Sequence, residues 1–295
     1  MAKADDLFLA VDGGGTGCRA RLCNASGILL AEAEGGPANI RFGLREAFAS
    51  VLDATLKCLE QAQLTPSDLP RITACLALAG ATEPTELAAA RLQKQAFGRA
   101  ILTADAHAAC MGAHQGRDGG VVIVGTGSIG WAVLRGKQHR VGGWGLQVSD
   151  EGSGAWIGCE ALRRVLTAYD GRTPWSPLLR SVFERYDSDP HAIVHWASHA
   201  APREFGTLAR VVVDNVSKND EIAIEILHLA AAHIDAIATR LIALGVPRLS
   251  LTGGLAAHVE DMLPITTRRQ IVKPLGDPLD GALLLARAAA QSAAA

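Results

Sequence analysis

Two glycine-rich segments hold the residue types that phosphate chemistry uses: Asp12-Gly13-Gly14-Gly15-Thr16-Gly17 and Gly125-Thr126-Gly127-Ser128-Ile129-Gly130. Glycine permits positive φ and adds no side chain, so backbone N–H groups can crowd an anion, and a pair of such turns suits a polyphosphate. A single acid, Asp105, comes after the apolar run Ala100-Ile101-Leu102-Thr103 and opens a helical segment. A carboxylate there is placed for chemistry at the carboxyl end of a strand, or for capping the helix. Asp150 and Glu151 pose the same choice, since they precede the helical run Ala155, Trp156, Ile157, Cys159, Leu162.

The elements that position these residues decide what the turns can be. Apolar runs, Phe8 to Val11 and Val121 to Val124, precede the two turns and read as buried strands. The segment after each turn is also strand-like: Cys18 to Leu22 in the first case and Trp131 to Leu134 in the second, closed by Arg135-Gly136-Lys137. Dinucleotide and Walker loops feed a helix instead. Although Gly125 to Gly130 matches G-x-G-x-x-G, and Asp150 lies downstream, the missing helix excludes a dinucleotide fold.

Downstream of the first hairpin the pattern predicts a strand over Ile28 to Ala33 and a loop over Gly35 to Asn39, with Asn39 near the sheet edge. Next come an amphipathic helix over Leu44 to Ala62, a buried strand over Ile72 to Ala79 and a helix over Pro84 to Ala96. Gly116 to Gly120 is the expected boundary, after which hairpin and third strand (near Gln138 to Val141) recur. Strands are expected again at Arg248 to Thr252 and Gln270 to Val272. Gly253-Gly254 forms a third glycine turn that could floor a nucleoside, though a strand-to-helix turn needs no ligand. A helical insertion lies between, its clearest helix starting at Asn219-Asp220-Glu221, and an Ala/Leu helix runs from Asp280 to Ala290.

A β-β-β-α-β-α-β-α unit occurring twice predicts an α/β fold of two lobes with a nucleotide in the cleft between them. We expect a first lobe over 1–118, joined by the helix at 281–295, and a second over 119–280 with its insertion at about 151–247.

Composition narrows the partners. With 49% hydrophobic residues in 295 there is material for two cores. A net charge of -2 and no cationic run argue against nucleic acid and anionic membranes. The first residues lack the apolar core of a signal peptide, and no unbroken apolar run is long enough to span a bilayer, so a cytoplasmic location is expected. The six cysteines show no C-x-x-C spacing and read as reduced thiols. His191, His195 and His199 share a helix face, but without an H-E-x-x-H arrangement they are expected on a solvated or packed surface rather than on a metal. The oligomeric state stays open, a homodimer included.

Together with Gly142-Gly143-Trp144-Gly145-Leu146-Gln147-Val148-Ser149-Asp150-Glu151-Gly152-Ser153, these features make the chain resemble the N-acetylglucosamine kinases. More broadly it resembles the BadF/BadG-type ATPase group of the actin-like superfamily, whose lobes are RNase H-like. The resemblance implies ATP and Mg²⁺ as cofactors, with Thr16 and the backbone of Gly13, Gly14, Gly15 and Gly17 at the phosphates and Thr126 as the matching contact. It implies Asp12 at the metal and Gly253 and Gly254 near the adenosine. It places Asn39, Asp105, Ser128, Ile129, Gly143, Trp144, Gly145 and Asp150 at the sugar, Asp105 being the base for its 6-hydroxyl. The implied reaction is phosphorylation of N-acetyl-D-glucosamine, with glucosamine as the alternative. Trp144 reads either as an apolar wall for the sugar or as core, and Glu151 as structural. The stretch Leu76-Ala77-Leu78-Ala79-Gly80 has Ala where the animal enzymes carry serine near the sugar, which removes one hydroxyl contact, and Leu146-Gln147-Val148 also departs from the family pattern. A more distant alternative, an ATPase activator of 2-hydroxyacyl-CoA dehydratases, would need cluster-binding cysteines near the second hairpin, and Cys159 is the only cysteine after Cys110.

Overall fold

A computed structural model describes residues 6–41 and 43–292. The chain forms two compact units. The first comprises residues up to Gly119 with Ala132–Gln138 and the segment from Lys273 onward; the second comprises Gly120–Trp131 and His139–Val272.

In the first unit, strands β1 (Leu7–Gly13), β2 (Cys18–Asn24), β3 (Leu29–Gly35), β4 (Ile72–Leu78) and β5 (Arg99–Ala104) form one sheet in the order β3-β2-β1-β4-β5. β1 and β2 are an antiparallel hairpin, whereas β4 and β5 run parallel to β1. Helices α1 (Leu44–Gln61), α2 (Pro84–Arg91) and α3 (Asp105–Ala113) come after β3, β4 and β5 respectively.

The alternation of side chains along a strand sorts these apolar runs onto two faces. Leu7, Leu9 and Val11, with Ile72, Ala74, Leu76 and Leu78, point into the core that α1 closes through Ala47, Val51, Ala54 and Cys58. Phe8, Ala10, Cys75 and Ala77 point the other way, against Ala108 of α3 and Leu279, Ala282 and Ala286. Those last residues belong to a C-terminal helix, Pro278–Ser292, which thus completes the first unit.

A second sheet, most of it in the second unit, is formed by β6 (Gly119–Val124), β7 (Ser128–Leu134), β8 (Lys137–Gly142) and β9 (Leu249–Thr252) in the order β8-β7-β6-β9. Between β8 and β9 come α4 (Gly154–Tyr169), α5 (Pro177–Glu184), α6 (Pro190–Ala197), α7 (Pro202–Val216) and α8 (Glu221–Ala243). Their apolar faces form a separate core that includes Ile157, Leu178, Ile193, Leu208, Val212 and Ile226. Asp220 caps α8 by accepting from Ala223 N. By length and composition α8 could cross a membrane. Nine of its residues are nonetheless buried, and Ile226, Leu227 and Ala230 belong to that core, as in an internal helix of a folded domain.

Helices α9 (Ala256–Glu260) and α10 (Ile265–Arg268) precede the C-terminal helix, α11 (Pro278–Ser292). The strand expected over Gln270 to Val272 shrinks to a single bridge, Ile271 beside Leu249. Pro274 comes shortly after and has no N–H with which to continue a ladder. The helix expected to reach Ala96 ends at Arg91, and Leu92 beyond it is 86% exposed, so no apolar face draws another turn onto the sheet.

Candidate active site

The first hairpin turn is tied down from below and open above. Gly14 N donates to Gly17 O at 2.8 Å, while the carbonyls of Gly13 and Gly14 accept from Ala79 N (2.7 Å) and Ala38 N (2.9 Å). A Cβ on Gly13 would come within 2.6 Å of Leu78 and 2.8 Å of Ala38, so close packing demands glycine there. A Cβ on Gly15 would meet nothing within 4 Å, and Thr16 is exposed. The carbonyls are thus held by the scaffold and the outer surface of the turn is left clear.

The second turn repeats this plan. Gly125 N donates to Gly127 O at 2.9 Å, and the carbonyls of Gly125 and Thr126 accept from Gly154 N (2.8 Å) and Ala155 N (3.1 Å), in the first turn of α4. Gly253 and Gly254 stand beside it, because Leu255 N donates to Val124 O at 3.0 Å. Gly253 has φ +100°, and a Cβ on it would lie 2.4 Å from that same carbonyl, so no other residue fits; Gly254 faces open space.

Asp12 and Asp105 converge at the carboxyl ends of parallel strands. Asp12 lies beside Ala77 of β4 in register, Ala77 lies beside Thr103 of β5, and Asp105 begins α3 two residues later. Asp105 does not cap α3. The cap position is Ala104, and Asp105 Oδ1 accepts from Ala106 N at 2.8 Å inside the first turn. Burial pushes the Asp105 carboxyl up to about 6, the Ala106 N–H opposes the rise, and the charge of Asp12 adds to it. Asp12 itself is paired with Arg19, its register partner across the hairpin, at 2.8 Å.

The oxygen donors suit Mg²⁺, which binds through one or two carboxylates and takes its other ligands from phosphates and water. No cluster of three or more His, Cys, Asp or Glu metal donors occurs among the described residues.

The remaining expected sugar contacts of the second unit lie around one loop. Gly142, Gly143 and Gly145 have φ of 69°, 73° and 103°. Trp144 is 53% exposed and therefore no core residue. Gly145 N donates to Asp150 Oδ1 at 3.0 Å, and Asp150, at φ 60°, adopts the left-handed region that disfavours residues with a side chain. The cap of α4 is Ser153, accepting from Trp156 N, so neither Asp150 nor Glu151 is the cap. The Ser128 hydroxyl donates to Glu151 O at 2.8 Å, which commits its proton, while Ile129 packs under Gly143. Glu151 also accepts from Ser149 Oγ through its carboxylate, in keeping with a structural role.

Asn39, in the first unit, bridges Ala79, and its Oδ1 accepts from Arg41 N at 3.0 Å. Of the three histidines expected on one helix face, His191 and His195 lie on α6 and His199 lies beyond its end; the backbone N–H of His191 donates to Asp189, and the rings of His195 and His199 lie 5.0 Å apart.

Three residues outside the expected set also stand at these places. Arg19 could have been found as the hairpin residue facing Asp12. His107, buried with its Nδ1 2.8 Å from Thr103 Oγ1 and held toward the neutral form by burial, stands one position beyond Asp105's neighbour Ala106. Arg140 stacks on Trp144, a contact that no local pattern announces.

This is the duplicated RNase H-like architecture of the actin-like ATPases. The chain matches the BadF/BadG/BcrA/BcrD ATPase family over residues 9–286 and belongs to that family. It is 39% identical over 281 residues to the glucosamine kinase GspK of Vibrio cholerae, spanning 95% of this chain and 96% of that one. It is 27% identical to the N-acetyl-D-glucosamine kinase of Dictyostelium discoideum over 95% of this chain and 98% of that protein. The crystal structure of a Chromobacterium violaceum protein provisionally named an N-acetylglucosamine kinase superposes with a TM-score of 0.90 at 35% identity, covering 96% of this chain and 100% of that one.

Proposed function

We propose that the protein transfers the γ-phosphoryl group of ATP to the 6-hydroxyl of an amino sugar, N-acetyl-D-glucosamine first, with D-glucosamine as the alternative acceptor. The observation that carries this reading is Asp105: a carboxyl raised to about 6, at the carboxyl ends of the strands that also present Asp12 and the first glycine turn. The 39% identity to a glucosamine kinase keeps the second sugar in view.

In this reading the backbone of Gly13 to Gly17, Thr16 and Thr126 cradle the phosphates, and Gly253 and Gly254 leave room for the adenosine. Asp12 holds Mg²⁺, which supplies charge compensation at the phosphates when bound. Asn39, Ile129, Gly143, Trp144, Gly145 and Asp150 hold the sugar; Ser128, its proton committed to Glu151, contributes as an acceptor or through its backbone. Asp105 accepts the proton of the 6-hydroxyl as the new O–P bond forms and the bond from the γ-phosphorus to the ADP oxygen breaks. Phosphoryl transfer asks little else of a protein than alignment and charge compensation, which is why glycine turns and one base suffice.

The cytoplasm is the compartment proposed, since it supplies ATP and keeps thiols reduced; five of the six cysteines are buried. A coupled ADP-release assay with Mg-ATP over N-acetylglucosamine, glucosamine and glucose tests the reading. The expected result is release that depends on one of the two amino sugars. Equal ADP release with and without sugar would overturn it.

A further inference from the structure

The loop Gly142-Gly143-Trp144-Gly145 poses a physical problem. Its three glycines all have positive φ, the conformational freedom of such a chain is high, and it carries a large indole that is more than half exposed. A useful wall for a ligand needs a fixed orientation.

Arg140 of β8 supplies the fixing. Its Nε donates to Gly142 O at 3.0 Å, a terminal guanidinium nitrogen donates to Gly143 O, and its Cζ lies 3.7 Å from the centre of the Trp144 ring. At the far end of the loop Asp150 accepts from Gly145 N. A cation on a strand and a carboxylate thus hold the two ends of one four-residue loop, and the guanidinium covers one face of the indole.

We infer that Arg140 is a positioning residue: it orients Trp144 so that the uncovered indole face meets the acceptor sugar. This rests on the proposed kinase function. Only a planar fork can do both jobs, because its in-plane N–H groups reach two carbonyls while its face stacks on the ring; an ammonium group offers a single point of charge. The C–H face of a pyranose is an apolar surface that packs on an indole.

The test compares Arg140→Met, Arg140→Lys, Trp144→Ala and the double variant Arg140→Met/Trp144→Ala. Arg140→Met and Trp144→Ala should each raise the sugar KM about tenfold, the size of one lost stacking contact. The KM for ATP and kcat should stay within about twofold, which also certifies the fold. Arg140→Lys should resemble Arg140→Met rather than the parent protein, and the double variant should be no worse than Trp144→Ala, since the two residues act as one unit. A second readout needs no turnover: comparing the Trp144 and Trp144→Phe backgrounds, Arg140→Met should make the Trp144 fluorescence more accessible to acrylamide.

Unchanged sugar KM in both Arg140 variants, an equal rise in the KM for ATP, or unchanged quenching would each overturn the inference. If Trp144→Ala raises the sugar KM while the Arg140 variants do not, the inference fails and the kinase reading stands. If no amino sugar is turned over by the parent protein, the kinase reading fails, and quenching alone decides whether Arg140 orients the ring.

Discussion

The charge of Asp12 reaches Asp105 across the carboxyl ends of β1, β4 and β5, and it adds to burial in holding the Asp105 carboxyl up to about 6. One acid is thereby tuned by another. A general base works best with a pKa near the operating pH, because it must be ionised yet still eager for a proton.

Removing that base should be costly for rate. Asp105→Asn is expected to lower kcat by about 10²–10⁴ while the far-ultraviolet dichroism and the binding of ATP stay unchanged. Turnover equal to the parent protein would take Asp105 out of the role.

The same shift fixes two pH dependences. The base must be ionised, so kcat/KM for the sugar should fall as pH drops through about 6. For stability the sign is opposite: a carboxyl whose pKa is higher folded than unfolded makes the folded state bind more protons. Its contribution is therefore favourable at low pH and is lost as pH rises from its ordinary 3.8 through about 6. At pH 8 Asp105→Asn should stabilise the protein by on the order of 1–2 kcal/mol, the full linkage value being discounted for partial solvent contact. Urea denaturation at pH 8 measures it, and a less stable variant would contradict the assignment of the shift to burial.

Asp12→Asn should move the acid limb of that profile to lower pH, because the variant deletes a charge that raises the Asp105 carboxyl. It should also weaken the dependence of turnover on Mg²⁺. A profile identical to the parent's would mean that the two acids do not communicate.

Gly15 and Gly281 make a matched pair of opposite expectations. A Cβ on Gly15 meets nothing within 4 Å, so Gly15→Ala should leave stability within about 0.5 kcal/mol while raising the KM for ATP, if phosphates occupy that space. A Cβ on Gly281 would lie 1.9 Å from Ala108 O and 2.5 Å from Gly112 N, where α11 crosses α3. Gly281→Val should therefore cost about 3 kcal/mol or more in denaturant melts of the full chain. A mild effect would imply that the crossing can open.

Asp150 tests the sugar side. Asparagine tolerates the left-handed backbone and can still accept from Gly145 N, so Asp150→Asn should fold normally and raise the sugar KM about tenfold. Asp150→Ala should in addition lose about 1–2 kcal/mol of stability, from backbone strain and an unpaired N–H. An unaltered sugar KM in both variants would remove Asp150 from the binding group.

The glycine hairpins, the buried strands of the first unit and the location of Asp105 were readable from the chain because each rests on a local rule: an apolar run, glycine at a turn, an acid where a strand passes into a helix. What local rules left open or missed depends on competition between neighbours. Ser153, not Asp150 or Glu151, caps α4, because Asp150 is turned away onto Gly145. Ala104 takes the cap position of α3, which leaves the Asp105 carboxylate inside the first turn. The strand at Gln270 to Val272 was lost to the proline after it. Arg140 was invisible because its meaning lies in a ring and two carbonyls that only the folded loop brings beneath it.

The docking of α11 on Phe8, Ala10, Cys75 and Ala77 has a consequence for biosynthesis. Those four residues lie in β1 and β4, ahead of the second unit in the chain, whereas α11 follows it. The first unit must therefore wait, with that side of its sheet covered by α3 but not by α11, while the whole second unit is made and can fold ahead of it.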